Sequence, residues 1–174
     1  MKHIPQTYRI EKYLGDDDVF ITDLGSTITL TLTRVNETYE TDRVDSLKDF
    51  DFYQFDLRSC GNEFKAFDEK IANTVSFYIK SFFLSKPDAV ILFLTDTTDG
   101  YGEVRYRKFR IWHSKYQRSH YFNTVSLHFE PIIFKFTNDS NMYGAFIVRE
   151  NSQIVEDLRE YKLLLAEEFI QIKS

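Results

Sequence analysis

Two carboxylates, Asp96 and Asp99, follow the apolar run Ala89–Leu94 and precede a segment, Gly102–Arg118, that carries six lysines or arginines against one acid. A carboxylate pair where a strand runs out can hold a divalent cation or act as general acid and base, because α/β sheets present ligands at strand C-terminal ends. Thr97, Thr98 and Asp99 are equally the residue types that accept the free N–H groups of a helix start, and their placement favours that capping role. The cations divide by helical phase at about 100° per residue. Arg105 and Lys108 fall inside the apolar arc between Tyr101 and Trp112, where a charge must be paired. Either the stem packs on a ring and the head meets an aspartate or the rim, or the two cations form an anion site at the sheet edge. Arg107, Arg110 and Arg118 lie on the outer side and are expected to meet phosphates or a protein partner.

His113, His120 and His128 lack the spacing of a zinc site, and neither HExxH nor CxxC occurs, so no metal is expected. Cys60, the one cysteine, has Arg58 nearby but no histidine within local reach, which favours a structural thiol over a nucleophile. One cysteine cannot form an internal disulfide, and the opening MKHIPQTYRI has no basic-then-apolar leader pattern, so a reducing cytoplasm is the expected compartment. The longest apolar run falls well short of the roughly 18 residues of a membrane span, so no membrane partner is expected.

These residues need a frame, and 174 residues with 17 Phe and 11 Tyr can build one large core. The simplest organisation is one globular domain over 1–174. Net charge is −5, yet Gly102–Arg118 alone carries +5, leaving −10 on the rest. Such segregation suits a docking surface or, more plainly, a solvated helix face.

Thr27–Val35, TITLTLTRV, alternates strictly and predicts a half-buried strand, with shorter strands at Tyr8–Tyr13 and Val19–Asp23 around the turn-like Gly15–Asp18. Asp49–Arg58 changes phase, from Phe50 and Phe52 to Tyr53, Phe55 and Leu57. A β-bulge produces such a slip; two kinked segments or a strand buried on both faces produce the same pattern. Phe67–Leu84 has a helical stripe at Phe67, Ile71, Val75, Tyr78 and Phe82, stopped before Lys86-Pro87. Ala89–Leu94 reads as a central strand, followed by a helix whose core face is expected at Tyr101, Val104, Phe109, Ile111, Trp112 and Tyr116. Phe122–Thr137 and Tyr143–Arg149 read as a hairpin, and a last helix starts near Asn151 or Ser152 with a stripe at Ile154, Leu158, Tyr161, Leu165 and Phe169. The fold class is therefore α+β: a mixed, mostly antiparallel sheet with three helices, in the order β-β-β-(β)-α-β-α-β-β-α.

That order, with a phase-slipped strand before the first helix, resembles the core of the GCN5-related N-acetyltransferases. Arg58-Ser59-Cys60-Gly61-Asn62-Glu63 is similar to that family's Arg/Gln-x-x-Gly-x-Gly/Ala turn, with Glu63 in place of the small last residue. The resemblance implies an acetyltransferase-like core and a coenzyme A pyrophosphate at the helix start, in a cleft bounded by Arg58, Gly61, Asp96 and Asp99, with acetyl-CoA as cofactor. Glu63, Asp68 and Glu69 add negative charge where that phosphate would sit. The run ILFLTDTTDGYGEVRYRKFRIWHSKYQ, the later FIVRE and the acidic last helix also resemble a domain-of-unknown-function family of small proteins seen mainly in Bacteroidota, over roughly Phe67 to Phe169. This second resemblance implies an architecture, no cofactor and no catalytic residues. The leading expectation is a non-catalytic intracellular interaction protein that presents a basic aromatic helix or a sheet surface to a protein partner. The alternatives are a divergent acyl-CoA-dependent N-acyltransferase and a nucleic-acid-associated protein.

Overall fold

The threonine-striped run forms the strand its alternation predicts, with Ile28 and Leu30 wholly buried on one side. In the computed structural model the described residues are 5–13, 15, 17–38, 45–60, 68–95, 99–118, 125–135, 141–150 and 152–172, with backbone alone for 118, 135, 152–153 and 166–172. Along the chain come β1 (Glu11–Lys12), β2 (Asp18–Ile21), β3 (Thr27–Arg34), β4 (Phe52–Cys60), α1 (Glu69–Ser85), β5 (Val90–Leu94), α2 (Gly102–Arg118), β6 (Leu127–Lys135), β7 (Asn141–Arg149) and α3 (Ser152–Ile172). The seven strands form one sheet in the order β1-β2-β3-β4-β5-β7-β6. Among the described strands only β4 and β5 run parallel, joined by α1 as the helical crossover such a pair needs. The fold is α+β with a mixed, mostly antiparallel sheet and three helices, as the element order implies.

The phase change in β4 does not come from a bulge. Its register against β3 is unbroken from Thr27↔Cys60 to Arg34↔Tyr53, and against β5 from Phe52↔Val90 to Phe55↔Phe93. The strand is instead buried on both faces. Phe52 points into a core with Val90, Leu92, Phe146 and the α3 residues Leu158, Tyr161 and Leu165. Tyr53 and Phe55 point into the opposite core, with Ile71, Val75, Ile79 and Phe83 of α1 and Phe109 and Tyr116 of α2. The sheet thus lies between α3 on one side and α1 and α2 on the other. Phe50 precedes the strand, in a turn where its N–H donates to the Leu47 carbonyl at 3.1 Å.

The helix ends follow the expected chemistry. Asp68 caps α1 by accepting from the N–H groups of Lys70 and Ile71 at 2.8 and 3.0 Å. Lys86-Pro87 closes it. Of the stripe predicted for α1, Ile71 and Val75 are buried, Tyr78 and Phe82 pack at the rim, and Phe67 lies outside the described residues. The α3 stripe is buried at Ile154, Leu158, Tyr161 and Leu165; the side chain of Phe169 and the whole of Asn151 lie outside the described residues.

The predicted core face of α2 needs correction. Phe109 and Tyr116 are buried and Trp112 packs against the core, but Val104 and Ile111 are 47% and 49% exposed, and Tyr101 precedes the helix in the open. Tyr106, outside the predicted arc, is buried. The rings decide the rotation. Phe109 stacks on Phe93 at 4.0 Å and 15°, and Tyr106 lies 5.7 Å from Tyr143 and 6.3 Å from Phe129. Burying these rings outweighs burying one valine and one isoleucine.

The β6–β7 hairpin is in register from Leu127↔Arg149 to Lys135↔Asn141. Pro131 sits in β6, which is an edge strand, where a missing N–H costs the ladder nothing. Opposite Leu94, Gly144 is required by packing, since a Cβ there would collide with the Phe93 carbonyl oxygen.

Candidate functional site

The loop from β5 to α2 turns through Gly100, whose φ of 78° is the left-handed conformation glycine adopts readily. That turn aims Asp99 back at the helix start. Its Oδ1 accepts from the Tyr101 N–H at 3.0 Å and from Arg105 Nη1 at 2.8 Å, while Arg105 Nη2 meets the second oxygen. The bidentate pair, reinforced by the Tyr101 N–H and opposed by desolvation, holds the Asp99 carboxyl at about 2. A carboxylate so acidic stays ionised through the physiological range and is a poor proton acceptor. Asp99 therefore closes the helix start, and Arg105 is its structural counter-ion. The other half of the predicted pair, Asp96, lies outside the described residues.

The remaining sequence-predicted contacts spread along α2. Arg107 pairs with Glu103 one turn back at 2.5 Å, Lys115 reaches Glu69 of α1 at 3.7 Å, and the Arg110 guanidinium sits 5.8 Å from the Tyr106 ring centre. Lys108 is half-buried, and the Arg118 side chain is outside the described set. Asp99, Glu103 and Glu69 thus thin the positive field that sequence counting assigns to this helix. Its outward face carries Val104 and Ile111 in the open, with Arg107 between them.

Of the cleft residues, Arg58 is exposed near the end of β4, opposite Thr29, and Gly61 lies outside the described residues. No ion pair joins Arg58 to Asp99 among the described residues. The last pair between β4 and β5 is Phe55↔Phe93, so among the described residues Asp56–Cys60 continues beside β3 alone. Cys60 is an exposed free thiol.

A second polar cluster is not apparent from sequence spacing. Glu130 is 6% exposed on β6 and accepts from Lys162 Nζ at 2.9 Å and Arg159 Nε at 3.3 Å, both on α3. His128 Nε2 lies 3.3 Å away. Burial raises the Glu130 carboxyl, but hydrogen bonds from Lys162, His128 and Arg159 outweigh it and hold the group below its ordinary range. The one local signal is that Glu130 shares a strand phase with Ile132 and Phe134, and Arg159 and Lys162 share a side of α3. Only packing shows that these sides meet.

Between α1, α2 and the sheet, Val75, Ile79, Phe109, Trp112 and Leu127 line a void of about 20 Å³, room for about one water and no substrate. His113 borders it with Nε2 3.3 Å from the Leu127 carbonyl, and burial lowers its pKa. The Trp112 Nε1 is buried with no acceptor among the described residues. Among the described residues no group of three or more His, Cys, Asp or Glu is placed to hold a metal ion, and no helix is long and apolar enough to cross a membrane.

A family model described as Family of unknown function (DUF6169) matches residues 67–163, more than half of the chain and the stretch from the start of α1 into α3. No curated protein and no solved structure matches.

Proposed function

We propose, for a chain that belongs to the DUF6169 family of unknown function, a non-catalytic interaction protein of the bacterial cytoplasm that presents the outward face of α2 to a protein partner. One observation carries this reading: Val104 and Ile111 stand exposed two helical turns apart with Arg107 between them. Exposed apolar side chains beside an arginine suit a docking surface, where the apolar contact excludes water and the guanidinium supplies directed hydrogen bonds. Asp99 supports it further, being committed to Arg105 and to the helix start.

The test compares the tagged full chain with its Ile111→Asp variant in lysate of the native host. A stoichiometric protein retained by the first and lost by the second is the expected result; a protein retained equally by both, or none at all, refutes the reading.

The divergent acyltransferase is a second reading, suggested by the resemblance of the element order to the acetyltransferase core and supported by Asp56–Cys60 running past the last β5 pair. Calorimetric titration with acetyl-CoA tests it, and absence of both heat and thermal shift refutes it. Nucleic-acid association is the weakest reading, because Asp99, Glu103 and Glu69 already engage three cations of α2. It requires salt-sensitive binding lost on Arg107→Ala plus Arg110→Ala.

A further inference from the structure

The outward side of α3 is chemically opposite to that of α2. Glu156, Glu160 and Leu163 recur at steps of four and three and are all exposed, Leu163 to 64%. On α2 the exposed positions Val104, Arg107, Ile111 and Lys115 recur at the same steps. One helix offers aliphatics flanked by cations, with Glu103 beside Arg107; the other offers a leucine preceded by carboxylates, with Arg159 between them and turned to Glu156 and Glu130. Because α2 and α3 cover opposite faces of the sheet, no chain can bring its own two stripes together.

We infer that the outward face of α2 receives the outward face of α3 from a second copy of this chain. The inference rests on α2 being a docking face and names its occupant. In an antiparallel pairing Leu163 seats between Val104 and Ile111, which are about 10 Å apart along the axis. Glu160 then falls beside the Arg110–Ile111 turn, and Glu156, about 10 Å from Leu163, beside Lys115. Opposed helix dipoles favour the same direction. The pairs Arg107–Glu103 and Arg159–Glu156 within one helix and Lys115–Glu69 between α2 and α1 are exposed contacts, weak enough to be exchanged for contacts across an interface.

The contact is heterologous: each copy has one α2 face and one α3 face, so association continues head to tail beyond a dimer. A single helix pair buries less than the roughly 1,000 Å² of a lasting interface. The assembly is therefore reversible and weakened by salt.

Sedimentation of the full chain over a range of concentrations, at about 50 mM and about 500 mM salt, tests this. The expected result is a mean mass that climbs above the monomer at low salt and returns to it at high salt. Ile111→Asp and Leu163→Asp each abolish the climb, with circular dichroism melts verifying the fold. Mixing the two variants restores 1:1 dimers that grow no further, because one contributes an intact α3 face and the other an intact α2 face. A wild-type chain that is monomeric throughout, association that survives either substitution, or mixed variants that stay apart overturns the inference. Should the wild type be monomeric while Ile111→Asp still loses a host protein, the occupant of α2 is that protein and the docking reading stands without this one.

Discussion

Replacing Glu130 by glutamine keeps the shape of the side chain and removes the charge that gathers Lys162, Arg159 and His128 at 2.9, 3.3 and 3.3 Å. Wholly buried ion pairs cost about 3–5 kcal/mol when one partner is deleted. Here only the carboxylate is dry: its side chain is 7% exposed, whereas those of Lys162 and Arg159 are 28% and 48% exposed and can turn to water. The loss is therefore set by charge-assisted hydrogen bonds, and about 2 kcal/mol is expected at neutral pH. Urea unfolding measures it as a lower midpoint at unchanged slope, and for a chain of this size the melting temperature falls by about 4–8 °C. The carboxyl is held below its ordinary value of 4.5 in the folded state, so its contribution is complete above that value. It is lost as the pH falls through the lower, folded value, and the wild-type advantage closes under acid conditions. Glu130→Gln with Lys162→Met in a double-mutant cycle should show a coupling of about 1 kcal/mol. A variant as stable as the wild type at pH 7, or a difference that persists undiminished at about pH 3, would show that the network does not hold α3 to the sheet edge.

Gly144→Ala forces a Cβ against the Phe93 carbonyl oxygen and the Leu94 side chain; a loss of about 1–3 kcal/mol is expected in thermal melts, and an unchanged melt refutes the steric argument. Asp99→Asn removes one side of the bidentate pair with Arg105 but leaves an acceptor for the Tyr101 N–H. Since the Asp99 carboxyl is held at about 2 against its ordinary 3.8, the small difference in melting temperature should be level above the ordinary value, fade as the pH falls from there through the folded value, and shrink with salt; a difference that stays level through that acid range contradicts the pairing. Tyr116 donates to the Val125 carbonyl at 2.9 Å, and burial pushes its pKa up to about 12. The stability this lends is present below the ordinary value of 10.0 and lost as the pH rises through the folded value. Tyr116→Phe should therefore flatten the alkaline branch of the stability profile, and an equally steep branch would disprove it.

The elements were legible from local pattern because period two and period 3.6 are properties of the chain itself. Thr27–Arg34 alternates as a strand must, Lys86-Pro87 stops α1, and β6 and β7 pair as a hairpin. The slip in Asp49–Arg58 was ambiguous for a definite reason: a strand covered on both faces and a bulged strand leave the same trace. Register against β3 and β5 separates them. The rotation of α2 could not be read from a count of apolar residues, because Val104 and Ile111 score as apolar as the residues that are buried. The rings of Phe93, Phe129 and Tyr143, brought together from three strands, select Tyr106 and Phe109 for the interior.

The same division runs through the chemistry. Asp99 and Arg105 lie six residues apart, so their pairing was within reach of sequence reasoning as a cap and its counter-ion. Glu130 and Lys162 lie 32 apart, on elements whose contact depends on how α3 crosses the sheet. Short-range hydrogen bonding and periodicity are written into neighbouring residues, and the sequence alone determined the strands, the helices and the stop of α1 at Lys86-Pro87. Which apolar side faces inward, and which distant charges meet, follows from maximal burial of the whole chain. Only the tertiary structure decided that α2 turns Val104 and Ile111 to solvent and that a buried carboxylate anchors α3.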